Sequence, residues 1–399
     1  MKASETSERY AGKVRECCNY AARSAKNFIK DEKTYKRQPC GEDEKKLAET
    51  LKEDLSTFCD TVSEETYLAS QKAYILSNFL VFLFMILAGA AAILGYFINE
   101  LIIIASLVFS VLALLAYFGA FGGTSKKLEG RNVFAVRNCT GDVKNRIIIE
   151  ANLDAPFKRK LSRGAERGLK VFNLVLIILD IAFSVVALLI TYGELEFSAY
   201  EYFIYAAFVL PFFSIVPIVL SRSVIASAST PGVADNLIGC YTACGALRYM
   251  SEMDLRLENT ELCVLLTGAK NAKYAGAKTY CESHKDADAK VDTTIISVNT
   301  IYDVATTSVI SDNKKAEKLV RDAASIAEVK LIDSKPKYMN SSAKIFKKAG
   351  ISNVTITSLT DEAPAFYGNM EDTAYNISVP AIEAAIKLIL ETAYLKDTQ

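Results

Sequence analysis

Leu262-Cys263-Val264-Leu265-Leu266 runs directly into Thr267-Gly268-Ala269-Lys270-Asn271, and a little earlier the chain reads Thr230-Pro231-Gly232-Val233-Ala234-Asp235-Asn236-Leu237-Ile238-Gly239. A short apolar run closed by a glycine turn and followed by a helical stretch, Ala272 to His284, reads as a buried strand feeding a helix. The pattern repeats outward from this point. Helical stretches at Asn236 to Met253, Asn313 to Ser325, Ser341 to Ala349 and Pro380 to Tyr394 alternate with β-branched runs at Thr294 to Val298, Val329 to Ile332 and Val354 to Ile356. Upstream, Asn132 to Val136 and Arg146 to Ala151 read as strands separated by a turn at Thr140-Gly141-Asp142. The alternation predicts an α/β fold, a mixed sheet covered by helices on both faces. Residues 43 to 59 set Leu47, Leu51, Leu55 and Phe58 on one helical face, which needs a packing partner.

The 399 residues carry 46 basic and 46 acidic side chains and 51% hydrophobic residues, with a mean hydropathy of +0.18. Four long apolar runs hold the excess: Ala73 to Ile98, Leu101 to Phe121, Val171 to Tyr192 and Ala199 to Leu220. None contains Lys or Arg, and each is near the ~20 residues a helix needs to cross ~30 Å of hydrocarbon. They are therefore expected to be four membrane spans in two hairpins. The hairpin tips are acidic, with Glu100 in the first and Glu194 and Glu196 in the second. The opposite flanks carry Lys126, Lys127, Arg131, Lys158, Arg159, Lys160, Arg163, Arg167 and Arg222. Since Lys and Arg accumulate on the cytoplasmic side, both termini and the polar domain are expected in the cytosol, in an integral membrane protein of the plasma-membrane type. The first 30 residues are polar and charged, so no cleavable signal peptide is expected. Nine scattered cysteines suit a reducing compartment, with Cys240 and Cys244 on an apolar helix face. Asp180 lies near the middle of the third span, where an ionisable group is a functional hypothesis by default. Its bland reading is helix packing. The small residues Ala88 to Ala92 suit bundle formation or oligomerisation, and Pro211 and Pro217 are expected to kink the fourth span.

The expected organisation is one interrupted polar domain, made of residues 1–72, 123–168 and 221–399, with transmembrane hairpins at 73–122 and 169–220. Several of its segments carry a resemblance. In order they are Arg37-Gln38-Pro39-Cys40-Gly41-Glu42-Asp43-Glu44, Ile147 to Asp154, Asp235-Asn236, Thr267 to Asn271, Ile296-Ser297-Val298-Asn299-Thr300 and Tyr367-Gly368-Asn369-Met370-Glu371-Asp372-Thr373. Together they resemble the zinc-dependent aminopeptidase and glutamate carboxypeptidase-like family (clan MH, family M28), which includes inactive relatives such as transferrin receptor and nicastrin. The resemblance implies a dinuclear zinc site. It puts Asn152 where the family has a first His ligand, Lys270 where it has the general base, and Asn271 where it has a carboxylate ligand. Asn299 then stands for an Asp ligand and Gly368 for the final His; only the bridging Asp235 and the supporting Asp154 keep the family's residue type. The chain has a single histidine, His284, which the sequence places near a helix end with a surface role.

A lone carboxylate does not supply the three or more N/O ligands that hold zinc and lower the pKa of its water. The resemblance therefore implies a degenerate site, with no metal and no cofactor. Lys270 is expected to pair with Asp235 or Asp154, against the alternatives of an exposed lysine or a ligand-binding one. The function expected is that of a pseudopeptidase embedded in the lipid bilayer, binding a peptide or protein or scaffolding a membrane complex, with no nucleic-acid partner. A working metallo-aminopeptidase, which would need zinc, is the alternative; a membrane carrier using Asp180 is a third.

Overall fold

The computed structural model describes residues 12–30, 35–99, 101–192, 209 and 213–399. In chain order the helices are α1 (Lys13–Lys30), α2 (Glu42–Ser56), α3 (Ala73–Phe97), α4 (Ile102–Tyr117), α5 (Arg163–Thr191), α6 (Ile215–Ser223), α7 (Ile238–Glu252), α8 (Ala275–Ser283), α9 (Lys285–Asp288), α10 (Lys314–Ile326), α11 (Ala343–Lys348) and α12 (Val379–Asp397). The strands are β1 (Thr61–Ala69), β2 (Leu128–Arg137), β3 (Asn145–Asn152), β4 (Phe157–Arg159), β5 (Val224–Ser229), β6 (Thr260–Thr267), β7 (Asp292–Val298), β8 (Ser308–Ile310) and β9 (Ser352–Thr357). They fall into two compact units. One comprises residues 1–69, 128–158 and 227–399, the other residues 70–127 and 159–226.

The first unit is built on a seven-stranded sheet of order β1-β2-β6-β3-β7-β9-β8. The β3, β6, β7 and β9 strands run parallel in the middle, while β1 and β2 at one edge and β8 at the other pair antiparallel. Because side chains alternate across a strand, consecutive residues of β3 serve two cores. Ile147 and Ile149 join Leu47, Leu51, Leu55, Cys240, Cys244, Ile386 and Leu390 on one face. Ile148 joins Cys263, Leu265, Tyr280, Ile295 and Phe346 on the other. The sheet is thus mixed and covered on both faces, and the Leu47/Leu51/Leu55 face packs into the main core, with Phe58 partly buried against it. The run Val329 to Ile332, expected as a strand, is not one. It makes only a single bridge, Ser308 to Ile332, because its neighbour β8 is three residues long and at the sheet edge. Helix ends carry their own signals: Asn313 caps α10 by accepting from the N–H groups of Lys315 and Ala316, and Ser378 caps α12 ahead of Pro380.

The second unit is a bundle of α3, α4, α5 and α6 around Val81, Met85, Ala113, Ala116, Leu176, Ile177, Val216 and Leu220. Its outside is apolar as well: Phe79, Val108, Val171, Val175 and Ile178 are all exposed. Among the described residues two of its helices, against the four spans expected, contain stretches long and apolar enough to cross a membrane, Ala73–Gly95 and Gly164–Ile190, and α4 is a shorter apolar helix. The tips at Glu100, Glu194 and Glu196, Pro211, and most of the fourth apolar run lie outside the described residues. Pro217 stands in the first turn of α6, where a missing N–H is tolerated, and most of the run before it lies outside the described residues. Ala88 and Ala91 are buried within this unit.

Candidate functional site

The parallel register aligns the carboxyl ends of β3, β6 and β7, setting Asn152 opposite Thr267 and Glu150 opposite Ser297. The ends of parallel strands are where α/β folds place ligands, and the motif residues gather here. Lys270 and Asn271 sit in the turn after β6, Asn299 follows β7, and Asp154 lies two residues past β3. Asp235 reaches the same place from a kinked segment before α7. That segment turns at Gly232 with φ +57°, where a Cβ atom would fall 2.6 Å from the Ala155 Cβ and 2.7 Å from Arg37 Nη2. The Asp235–Asn236 peptide is cis. Asn236 ties the segment to β7, its Nδ2 donating to the Val298 carbonyl (2.7 Å) and its Oδ1 accepting from the Thr300 N–H (3.1 Å).

The centre of the site is an ion pair. Lys270 Nζ lies 2.9 Å from Asp235 Oδ1, and the two side chains are 0% and 2% exposed. Burial pulls the ammonium down, but Asp235 above all, with Tyr367 and Asp154, outweighs it and holds Lys270 above its ordinary range. Asp154, fully buried, accepts the Lys270 N–H at Oδ1 (2.7 Å) and both the backbone and side-chain N–H groups of Asn271 at Oδ2 (2.8 and 2.9 Å). Asn152 Nδ2 donates towards Glu150 Oε1, Thr267 Oγ1 and Ser342 Oγ at 3.0–3.2 Å. Asn299 Nδ2 donates to the Asn340 carbonyl (3.0 Å) while its Oδ1 accepts from Thr300 Oγ1 (3.0 Å). Gly368 is buried with φ +68° and brings no side chain. Among the described residues no group of three or more His, Cys, Asp and Glu is placed to hold a metal ion.

Three further buried acids complete the site. Asp372, from the segment Tyr367 to Thr373, accepts at Oδ1 and Oδ2 from the N–H groups of Ala234 (2.8 Å) and Asp235 (3.0 Å). Burial, with the nearby Asp235 charge, pushes it up to about 6 despite those two hydrogen bonds. Glu44 accepts from the Ala269 N–H (2.7 Å) and from the Cys40 N–H, and burial together with the Asp154 charge raises it strongly. Gly268 leaves room for it, since a Cβ there would lie 2.8 Å from Glu44 Oε1. Glu150 accepts from Thr267 Oγ1 (2.8 Å), and its burial raises it too. The available signal for Glu150 was an acid inside the apolar run Ile147-Ile148-Ile149-Glu150-Ala151 of a central strand.

The other sequence candidates lie elsewhere. His284 is half-buried at the end of α8, stacked on Tyr280 with ring centroids 4.3 Å apart. All nine cysteines are unpaired, and Cys240 and Cys244 belong to the apolar core. Asp180 is in the second unit, accepting from Ser110 Oγ at 2.7 Å. A cavity of about 310 Å³ opens at the opposite, amino end of β7 and β9, lined by Cys281, Lys285, Asp288, Asp292, Gly350 and Ser352.

Residues 220–393 match the model of Peptidase family M28. No curated protein matches the chain significantly. Among solved structures, the chain is similar to BSAP, a zinc aminopeptidase from Bacillus subtilis, at 10% identity and a TM-score of 0.55, covering 94% of each chain. It is similar to LapB from Legionella pneumophila at 10% identity and a TM-score of 0.56, covering 98% of this chain and 76% of that one. A Zn-dependent exopeptidase from Parabacteroides distasonis aligns at 10% identity and a TM-score of 0.55, covering 94% and 97%. At such identities the structural likeness speaks for the fold, and the family match adds the sequence of its carboxyl half. The carboxyl-terminal part of the chain thus matches the M28 peptidase family, within an aminopeptidase-like α/β fold.

Proposed function

We propose that this protein is a membrane-embedded pseudopeptidase, a non-catalytic member of its family that scaffolds a membrane complex or holds a peptide or protein. The observation that carries the reading is the Lys270–Asp235 ion pair. Two features weigh against zinc in this site. An ammonium 2.9 Å from the one carboxylate retained at a ligand position repels a cation. The side chains around it also present N–H groups rather than lone pairs: Asn152 and Asn271 spend their amides on Glu150 and Asp154, and Asn299 turns its oxygen to Thr300. Donors of that kind do not ligate a metal, and Lys270, paired and charged, does not act as a base. Asp154, Asp235 and Lys270 are each at most 2% exposed, so the centre of the site is closed by its own side chains. This supports scaffolding over capture of a ligand at that centre.

The membrane part of the reading rests on the four apolar runs, the two long apolar helices and the apolar outer surface of the bundle. The Lys and Arg flanks favour a cytosolic polar unit. Purified full-length protein incubated with aminoacyl and peptide substrates should release no N-terminal residue above buffer, with or without chelator. Release that a chelator abolishes would establish the metallo-aminopeptidase alternative instead. Orientation is tested by thiol labelling of intact cells. A cysteine introduced by Glu194→Cys should label at once and Cys139 only after permeabilisation; the opposite order would invert the topology.

A further inference from the structure

The third apolar run holds one acidic or basic residue, Asp180, ten residues from Lys170 and so about 15 Å along α5, half of a ~30 Å hydrocarbon layer. It is 7% exposed. Ser110 Oγ on α4 lies 2.7 Å from its Oδ2, and one turn along the same pair of helices Ser106 Oγ lies 3.0 Å from Ser184 Oγ. Two i,i+4 pairs on facing antiparallel helices thereby gather four oxygen-bearing side chains, three hydroxyls and a carboxylate.

The charge of this cluster does not close. No Lys or Arg occurs in any of the four apolar runs, and among the described residues no charge of either sign acts on Asp180. The titratable groups of the packed helices are engaged elsewhere or stand at helix ends. Tyr117 of α4 donates to the Lys170 carbonyl, Tyr74 of α3 donates to Glu166, Glu166 pairs with Arg159 and Lys170, and Arg222 ends α6. A bare carboxylate at this depth is costly. The hydrogen bonds are short of a proton too. Ser110 has one, yet its oxygen lies within reach of two acceptors, Asp180 Oδ2 at 2.7 Å and the Ser106 carbonyl at 2.9 Å. A second observation lies on the same face of α5. Asn173 precedes Asp180 and Ser184 by seven and eleven residues, is fully buried, and finds no partner for either amide atom among the described residues.

We propose that Asp180, Ser110, Ser106 and Ser184 form a binding site for one monovalent cation, a proton or a sodium ion, with Asn173 as a polar step from the Lys170 end of α5. The bound cation supplies the missing unit of positive charge. The inference rests on the membrane reading of the bundle and is independent of the peptidase-like unit.

The test uses full-length protein in phosphatidylcholine nanodiscs. Its thermal unfolding is followed from acid to alkaline pH, and at alkaline pH with sodium exchanged for choline at constant ionic strength. The wild-type midpoint should rise with acid or with sodium. Asp180→Asn should lack the sodium response and keep only the pH dependence of the α/β unit, so the difference from wild type is the readout, and Ser110→Ala should shrink that difference without abolishing folding. A rise with acid alone identifies the proton, and a sodium-specific rise at alkaline pH identifies the ion. A wild-type response identical to that of Asp180→Asn overturns the proposal. Alkaline extraction of cell membranes reports separately on integration: release of the chain would defeat the membrane reading, whatever the titration gave.

Discussion

Asp235 and Asp180 are both buried acids, 1% and 7% exposed, and the protein treats them in opposite ways. In the α/β unit the acid is met by a full charge, Lys270 at 2.9 Å, within a shell of backbone N–H donors and further carboxylates. In the helical bundle it is met by a single serine hydroxyl. Elsewhere in the α/β unit Arg146 holds Glu261 and Asp288 and Lys396 holds Asp292, while Asp372, Glu44 and Glu150 are met by N–H and O–H donors. The difference teaches that the two acids carry different kinds of information. A buried charge with its counter-charge built in is a closed structural element. One without it, among apolar helices that offer a single hydroxyl, calls for a charge from outside the chain.

The largest effect is expected from breaking the closed pair. Lys270→Met leaves Asp235 uncompensated and should destabilise the α/β unit by about 3–5 kcal/mol. Adding Asp235→Asn to it should return most of that loss, which chemical unfolding of the single and double variants would show. A near-neutral Lys270→Met would mean that the pair is not what neutralises the site.

Next comes an acid of that unit with no cation of its own. Asp372 is held up at about 6 against an ordinary 3.8, so the folded state binds its proton more tightly than the unfolded chain does. Its contribution therefore favours the fold at low pH, falls as pH rises from about 4 to about 6, and is flat above. The shift corresponds to roughly 3 kcal/mol across that window. The stability of the wild type relative to Asp372→Asn should decline over this interval by an amount of that order; a difference constant with pH would remove Asp372 from the electrostatics of the site.

A smaller effect is expected where one partner reaches water. Lys396 is 2% exposed but Asp292 is 46% exposed and also meets Lys315. Lys396→Met should cost about 1 kcal/mol or less. The smallest change should come from Asp180→Asn under cation-loading conditions, within about 0.5 kcal/mol of wild type, since the amide keeps the hydrogen bond without the charge. A large loss there would make Asp180 a packing residue after all.

The central strands were legible because they are buried on both faces, β3 and β6 reading as apolar runs and β7 and β9 as β-branched ones. β1 was not, since Thr61 to Ala69 is an edge strand with Glu64 and Glu65 in its middle and no clean alternation. The α1 helix escaped for a different reason. Its buried face, Val14, Cys17, Cys18, Ala21, Ala25 and Ile29, has helical spacing but small side chains in a charged segment. At the site, the motifs located Asp154, Asp235 and Lys270, and the chemistry of an ammonium among acids suggested a partner between them. Which carboxylate Lys270 would take was not legible, because it depends on the kinked turn at Gly232 bringing Asp235 under the end of β6. Glu150 and Glu44 were missed because their burial comes from the register of neighbouring strands and from the fold of a distant loop.

Under the proposed function, Lys270 stands where a zinc aminopeptidase of this fold would carry metal. The most direct test is elemental analysis of the unmodified full-length protein, purified in detergent without chelator and dialysed against buffer containing zinc. The account predicts zinc far below one ion per chain, unchanged when Asp235→Asn removes the last carboxylate at a ligand position. Close to two zinc ions per chain in the wild type, lost in that variant, would contradict it.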